Sequence, residues 1–179
     1  MSIEKTEARM KANIWKAIAQ NKVDLSCLDK ETQNSLIETV TAAALLELDH
    51  DIDESIGDSR PDSKALLDDD KEDILWEGRP FLSISRYYII TDERIRITEG
   101  FLGKSYENIE LVRVQDVDYS QTMSERMLKI GDVNVHSHDS SDPLVVLENV
   151  AKPEVVYEVL RRAILAARKK HNFSYREEM

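Results

Sequence analysis

A chain of 179 residues, 41% hydrophobic and 33% charged, holds one ordinary domain plus an extra element or two small ones, and its composition excludes wholesale disorder. The longest apolar run is far short of the roughly 20 residues that span a bilayer, and the opening MSIEKTEARM has no apolar signal core, so a cytoplasmic protein is expected. The single Cys27 excludes an internal disulfide framework and a zinc site of the thiolate type.

From the N-terminus, Ile3, Met10, Ile14, Ala17 and Ile18 recur at helical spacing, which predicts an amphipathic helix over residues 3–20 with Trp15 to one side. Asp29 is placed to cap a second helix running to about residue 55. In that helix Leu36, Val40, Ala43, Ala44, Leu45, Leu46 and Leu48 spread over much of the circumference, more apolar surface than one neighbour covers. Two helices alone leave little core, so self-association through this helix is expected, with Val40, Leu45 and Leu48 as the candidate residues.

The net charge of −11 is concentrated in one segment. Residues 47–73 carry twelve acids against Arg60, Lys64 and Lys71, and with Gly57 and Pro61 they read as a solvated linker. Asp49, Asp51 and Asp53 fall at the first ligand positions of a calcium loop, but Glu54 stands where that loop needs Gly and Arg60 where it needs a bidentate Glu.

Downstream, Ile84, Arg86, Tyr88 and Ile90 alternate along one strand and Ile95 and Ile97 along the next, with Asp92 and Glu93 in the turn between them: a β-hairpin. Arg94 and Arg96 fall on the other face of the second strand and are expected to be exposed. A second turn at GFLGK leads into YENIELVRVQDVDYSQ, where the alternation slips phase near Leu111, the sign of a bulge or corner. GDVNVHSH and PLVVLENV supply two more short strands. After Pro153 the period changes, and Val156, Val159, Leu160, Ala163, Ile164 and Ala167 form one face of a terminal helix.

A strand meander closed by one amphipathic helix is the layout of a pleckstrin-homology (PH)-like domain. The stretch ILWEGRPFLSISRYYIITDERIRITEGFLGKSYENIELVRVQDV resembles the bacterial PH-like domain family in its Trp76-x-Gly78-x-Pro80 lead-in, its Tyr88-x-x-Thr91-x-x-Arg94 hairpin, the Gly100 turn and the Ile109-x-Leu111 segment. The similarity covers about residues 74–168. Joined to the helical segment over 1–56 and the acidic linker over 57–73 read above, it implies an α+β protein whose PH-like antiparallel β-barrel or sandwich, capped by a C-terminal amphipathic helix, spans 74–171, with a flexible tail over 172–179. It also implies homo-oligomeric assembly.

The resemblance raises phosphoinositide binding, which needs clustered Lys and Arg at the first hairpin tip, where this chain carries Asp92 and Glu93. His136 and His138 alternate with Val133 and Val135, so they and Asn134 point away from the core near Asp139 and Asp142; surface histidines are expected there in preference to a metal site. No phosphate loop, nucleophile elbow or positioned acid pair is present, so neither an enzyme nor a cofactor is expected. The last helix carries Arg161, Arg162, Arg168, Lys169 and Lys170 with no acid between residues 159 and 176, and Leu165 sits among them. This is the candidate interaction surface. It suits a protein partner, the chain itself included; weak binding to anionic lipid is the alternative, and a nucleic acid is not expected because interleaved aromatics are lacking. The acidic linker is expected to attract this basic face loosely.

Overall fold

The computed structural model describes residues 3–57, 72–100, 105–138 and 143–171 and divides into two compact units, Met1–Ser55 and Ile56–Met179. The linker segment 58–71, Asp139, Asp142 and the tail beyond 171 lie outside the described residues.

The first unit contains helix α1 (Ile3–Gln20) and the greater part of helix α2 (Lys30–Ile56), close to the predicted spans. Asp29 caps α2 as expected. Its carboxylate accepts from the Thr32 backbone N–H at 2.9 Å and from the Thr32 hydroxyl at 2.8 Å, and these bonds hold its pKa below the ordinary value. Gln33 ties the connecting loop to the helix by donating to the carbonyls of Leu25 and Leu28, and Lys11 of α1 lies 3.6 Å from Glu38 of α2.

The second unit is built of two antiparallel sheets. One has the order β1 (Ile74–Gly78), β2 (Arg86–Thr91), β3 (Arg94–Glu99), β4 (Ser105–Glu110). The other has the order β5 (Val114–Ser120), β6 (Ile130–Ser137), β7 (Leu144–Ala151). The sheets are not closed into a barrel, so the sandwich half of the expected fold describes the chain. The phase slip near Leu111 is a short 3₁₀ turn, Leu111–Arg113, that carries the chain from one sheet to the other. Helix α4 (Pro153–Lys170) supplies Val156, Leu160, Ala163, Ile164 and Ala167 to a core shared with both sheets.

The residues behind the family resemblance have structural duties. Tyr88 is fully buried in β2, and its hydroxyl accepts a hydrogen bond from the Glu148 backbone N–H of β7 at 3.1 Å, so one side chain fills the core and joins the two sheets. The Thr91 hydroxyl accepts from the N–H groups of Glu93 and Arg94 at the hairpin turn. Trp76 and Gly78 lie on one side of β1, and a Cβ at Gly78 would sit 2.8 Å from two atoms of the Trp76 ring; only glycine leaves the indole room. Gly100 adopts φ 114°, which no ordinary L-residue tolerates.

Three expectations are corrected. Arg96 is buried rather than exposed, with its guanidinium on Asn108 at 3.0 Å, and Ile89, Thr91 and Thr98 on the same face of β2 and β3 are buried too. Arg94 is paired at 2.6 Å with Glu72, a residue placed by sequence in the solvated linker but only 4% exposed here, which also receives the Thr91 hydroxyl at 2.9 Å. Leu45 is fully buried on the inner face of α2, in line with Ile37 and Thr41 at successive i+4 steps, so it is not a surface contact residue. A short helix, α3 (Met123–Leu128), also stands between β5 and β6, opened by a capping box in which Thr122 and Glu125 bond each other's backbone N–H groups.

Candidate interaction surface

Each face of α4 does a different job. Its apolar face fills the sandwich. Its C-terminal turn is clamped: Lys170 reaches both Asp92 and Glu93 at the β2–β3 turn, and His171 Nε2 lies 2.9 Å from Glu93. The acids that argued against a headgroup site at the hairpin tip are therefore countered by the end of α4 in the same unit. Bases at a helix C-terminus also suit the backbone dipole. The Lys170 ammonium, followed by His171, holds the Glu93 carboxyl below its ordinary value of 4.5.

This lowered carboxyl stabilises the clamp at pH above 4.5, and the contribution is lost as pH falls through the folded-state value. The protection of residues 166–171 against hydrogen exchange, taken relative to the intrinsic rate at each pH, is therefore expected to fall severalfold on acidification below pH 4.5. Glu93→Gln should show that lower protection already at neutral pH and lose the acid dependence.

Of the candidate basic residues, two are committed to contacts within the unit. Arg168 is half-buried and donates to the carbonyls of Val114 at 2.6 Å and Gln115 at 3.1 Å, and Lys170 belongs to the clamp. Arg161, Arg162 and Lys169 are exposed, with Glu158 3.8 Å from both Arg161 and Arg162. Leu165 is 51% exposed among them.

Sequence reading missed the cleft beside this face, because it forms only when α4 packs along β5. The cleft has a volume of about 200 Å³; Val117, Tyr157, Ile164 and Leu165 supply apolar walls, and Arg161 and Arg168 lie along the helix side. Tyr157 also stacks at a tilt on Tyr119 of β5, with ring centres 5.6 Å apart. Behind β5, on the open face of the sheet, His136 Nε2 lies 2.9 Å from Asp118, and Asn134 donates to the same carboxylate at 2.7 Å. These bonds, Asn134 first, hold Asp118 below its ordinary value. No cluster of His, Cys, Asp or Glu able to hold a metal occurs among the described residues.

On α2, by contrast, Leu36, Val40, Leu46 and Leu48 are exposed, the last three each at 45%. Val40 and Leu48, two of the candidate self-association residues, are among them. No helix among the described residues is long and apolar enough to cross a membrane.

A four-stranded and a three-stranded antiparallel sheet packed against one C-terminal helix is the arrangement anticipated from the resemblance, and residues 75–164 match the family described as bacterial PH domain. The chain belongs to the bacterial PH domain family. A crystal structure of a DUF1696 family protein with a pleckstrin-homology domain from Shewanella loihica PV-4 is similar at 12% identity, over 65% of this chain and 92% of that one, with a TM-score of 0.42. No curated protein matches the chain. PH-like domains are binding modules and generally non-catalytic, so the exposed surfaces described above are where the function of this PH domain is sought.

Proposed function

We propose that this chain is a non-enzymatic, cytoplasmic binding and assembly module whose partners are proteins, a second copy of itself among them. The observation that carries the reading is the apolar surface of α2: Leu36 and Val40, one helical step apart, with Leu46 and Leu48 further along, remain exposed while Ile37, Thr41, Ala42 and Leu45 are already buried. A 27-residue helix is about 40 Å long, which gives two copies a long surface to share in a symmetric, self-complementary contact. Apolar surface of this kind is a common mark of protein contact.

An immobilised tagged copy is expected to retain an untagged copy, and Leu36→Glu with Val40→Glu is expected to release it, since both charges would have to be desolvated in the contact. Retention unchanged by this double substitution would rule out the α2 surface.

A second reading is a peripheral adaptor that lays the basic face of α4 on anionic lipid, favoured by the exposed Arg161, Arg162 and Lys169. It ranks below the first because Arg168 and Lys170 are committed within the domain and Glu158 lies close to two of the three remaining bases. Binding of this kind would be weak and would fall with salt.

A further inference from the structure

The cleft between β5 and α4 is a surface separate from α2. We propose that it binds an extended segment of a partner protein, acidic and carrying an apolar anchor residue, which lies along the edge of β5 as an added strand. The proposal rests on the reading of the chain as a protein-binding module and not on self-association.

Three observations carry it. First, β5 is an edge strand: the sheet order is β5, β6, β7, and among the described residues no strand pairs with β5 on its other side. Alternate backbone groups of an edge strand face away from its sheet and form a template for a further strand. Arg168 already exploits this edge, since its guanidinium donates to the Val114 and Gln115 carbonyls, the kind of acceptor that the N–H groups of an added strand would use further along at residues 116–120.

Second, the cleft offers an anchor pocket beside that edge. Val117 and Ile164 lie deep in it and Tyr157 and Leu165 flank it, and Leu165, 51% exposed, has no place in the domain's own core. A volume of about 200 Å³ accommodates one or two apolar side chains rather than a drug-sized ligand. Third, the rim has a sign. Arg161 and Arg168 line the cleft against Asp116, so positive charge predominates and acidic residues beside the anchor are favoured.

The test uses the full chain and two synthetic peptide arrays of about ten residues, a length that spans the edge with flanks on either side. In one array a central apolar residue is flanked by Asp and Glu, in the other by Lys. The acidic array is expected to bind at least about tenfold more tightly than the lysine array. Leu165→Asp and, separately, the milder Arg161→Gln should each weaken that binding, Leu165→Asp by about tenfold or more. Circular dichroism confirms that both variants fold, as expected for substitutions at exposed positions. N-methylation of alternate peptide amides should abolish binding, because strand addition needs those donors.

Failure of both arrays to bind, binding that survives Leu165→Asp and Arg161→Gln, or binding indifferent to N-methylation would overturn the proposal. So would vesicles of phosphatidylcholine with phosphatidylserine that bind through Arg161 while the acidic peptides do not. The Leu36→Glu, Val40→Glu variant should bind the acidic array as well as the parent chain does, so loss of peptide binding and loss of self-association are separable results.

Discussion

Replacing Tyr88 with alanine is expected to lower the stability of the PH domain by about 3–5 kcal/mol, the usual cost of removing a buried aromatic side chain. Tyr88 is fully buried among Ile90, Ile95 and Ile97 of its own sheet and Val145 and Leu147 of the other, so the lost ring leaves a void where the sheets meet. Tyr88→Phe separates the hydroxyl from the ring. It keeps the packing but leaves the Glu148 N–H without its partner, for about 1–3 kcal/mol. Burial raises the Tyr88 hydroxyl above its ordinary value of 10.0. The unfolded chain therefore ionises first, and the stability that Tyr88 contributes is full below pH 10 and declines as pH rises towards the folded-state value. Urea denaturation at pH 7 and above pH 10 should show a steeper alkaline loss in the parent chain than in Tyr88→Phe.

Leu160→Ala should cost about 2–5 kcal/mol. Leu160 is fully buried at the middle of α4, between Val156 and Ile164, and α4 is the element that covers both sheets. Because domains are stable by only about 5–15 kcal/mol, the loss is a large fraction of the total, and each kcal/mol lowers the midpoint of thermal unfolding by roughly 4–8 °C in a domain of about this size. Leu165→Ala, one turn further on the exposed side, should leave the midpoint within about a degree or two, since surface changes fall within ±0.5 kcal/mol. That contrast tests whether α4 buries the face assigned to it.

The parts of this architecture that were legible in the sequence are those fixed by short-range spacing. Val156, Leu160, Ala163, Ile164 and Ala167 announce α4 by their helical period, Asp29 announces the start of α2, and Asp92 with Glu93 marks the hairpin turn. The slip near Leu111 located the passage between the sheets. Shorter elements escaped: β1 is five residues long and read as a lead-in, although its Trp76 and Gly78 already stood two apart. Helix α3 carried its capping box in plain view at Thr122 and Glu125, but its six residues are too few for a period to register.

What was not legible depends on contacts distant in the chain. Alternation in β3 suggested one wet face, yet Arg96 is buried there together with Ile89, Thr91 and Thr98. The hairpin acids and the helix bases seemed two separate surface features, and the Glu93–Lys170 contact joins residues 77 apart. Two of the five bases expected on the surface turned out to serve the domain itself, Arg168 on the β5 carbonyls and Lys170 in the clamp. The cleft has no local signature at all, except that Leu165 interrupts a basic face.

The central claim, that this PH domain protein assembles through α2, is tested most directly by light scattering on the intact chain over a range of concentrations, beside the Leu36→Glu, Val40→Glu variant. The account predicts a mass above the 20.6 kDa of one chain for the parent protein and 20.6 kDa for the variant. A parent protein that stays at 20.6 kDa throughout, or a variant that assembles as the parent does, would contradict it.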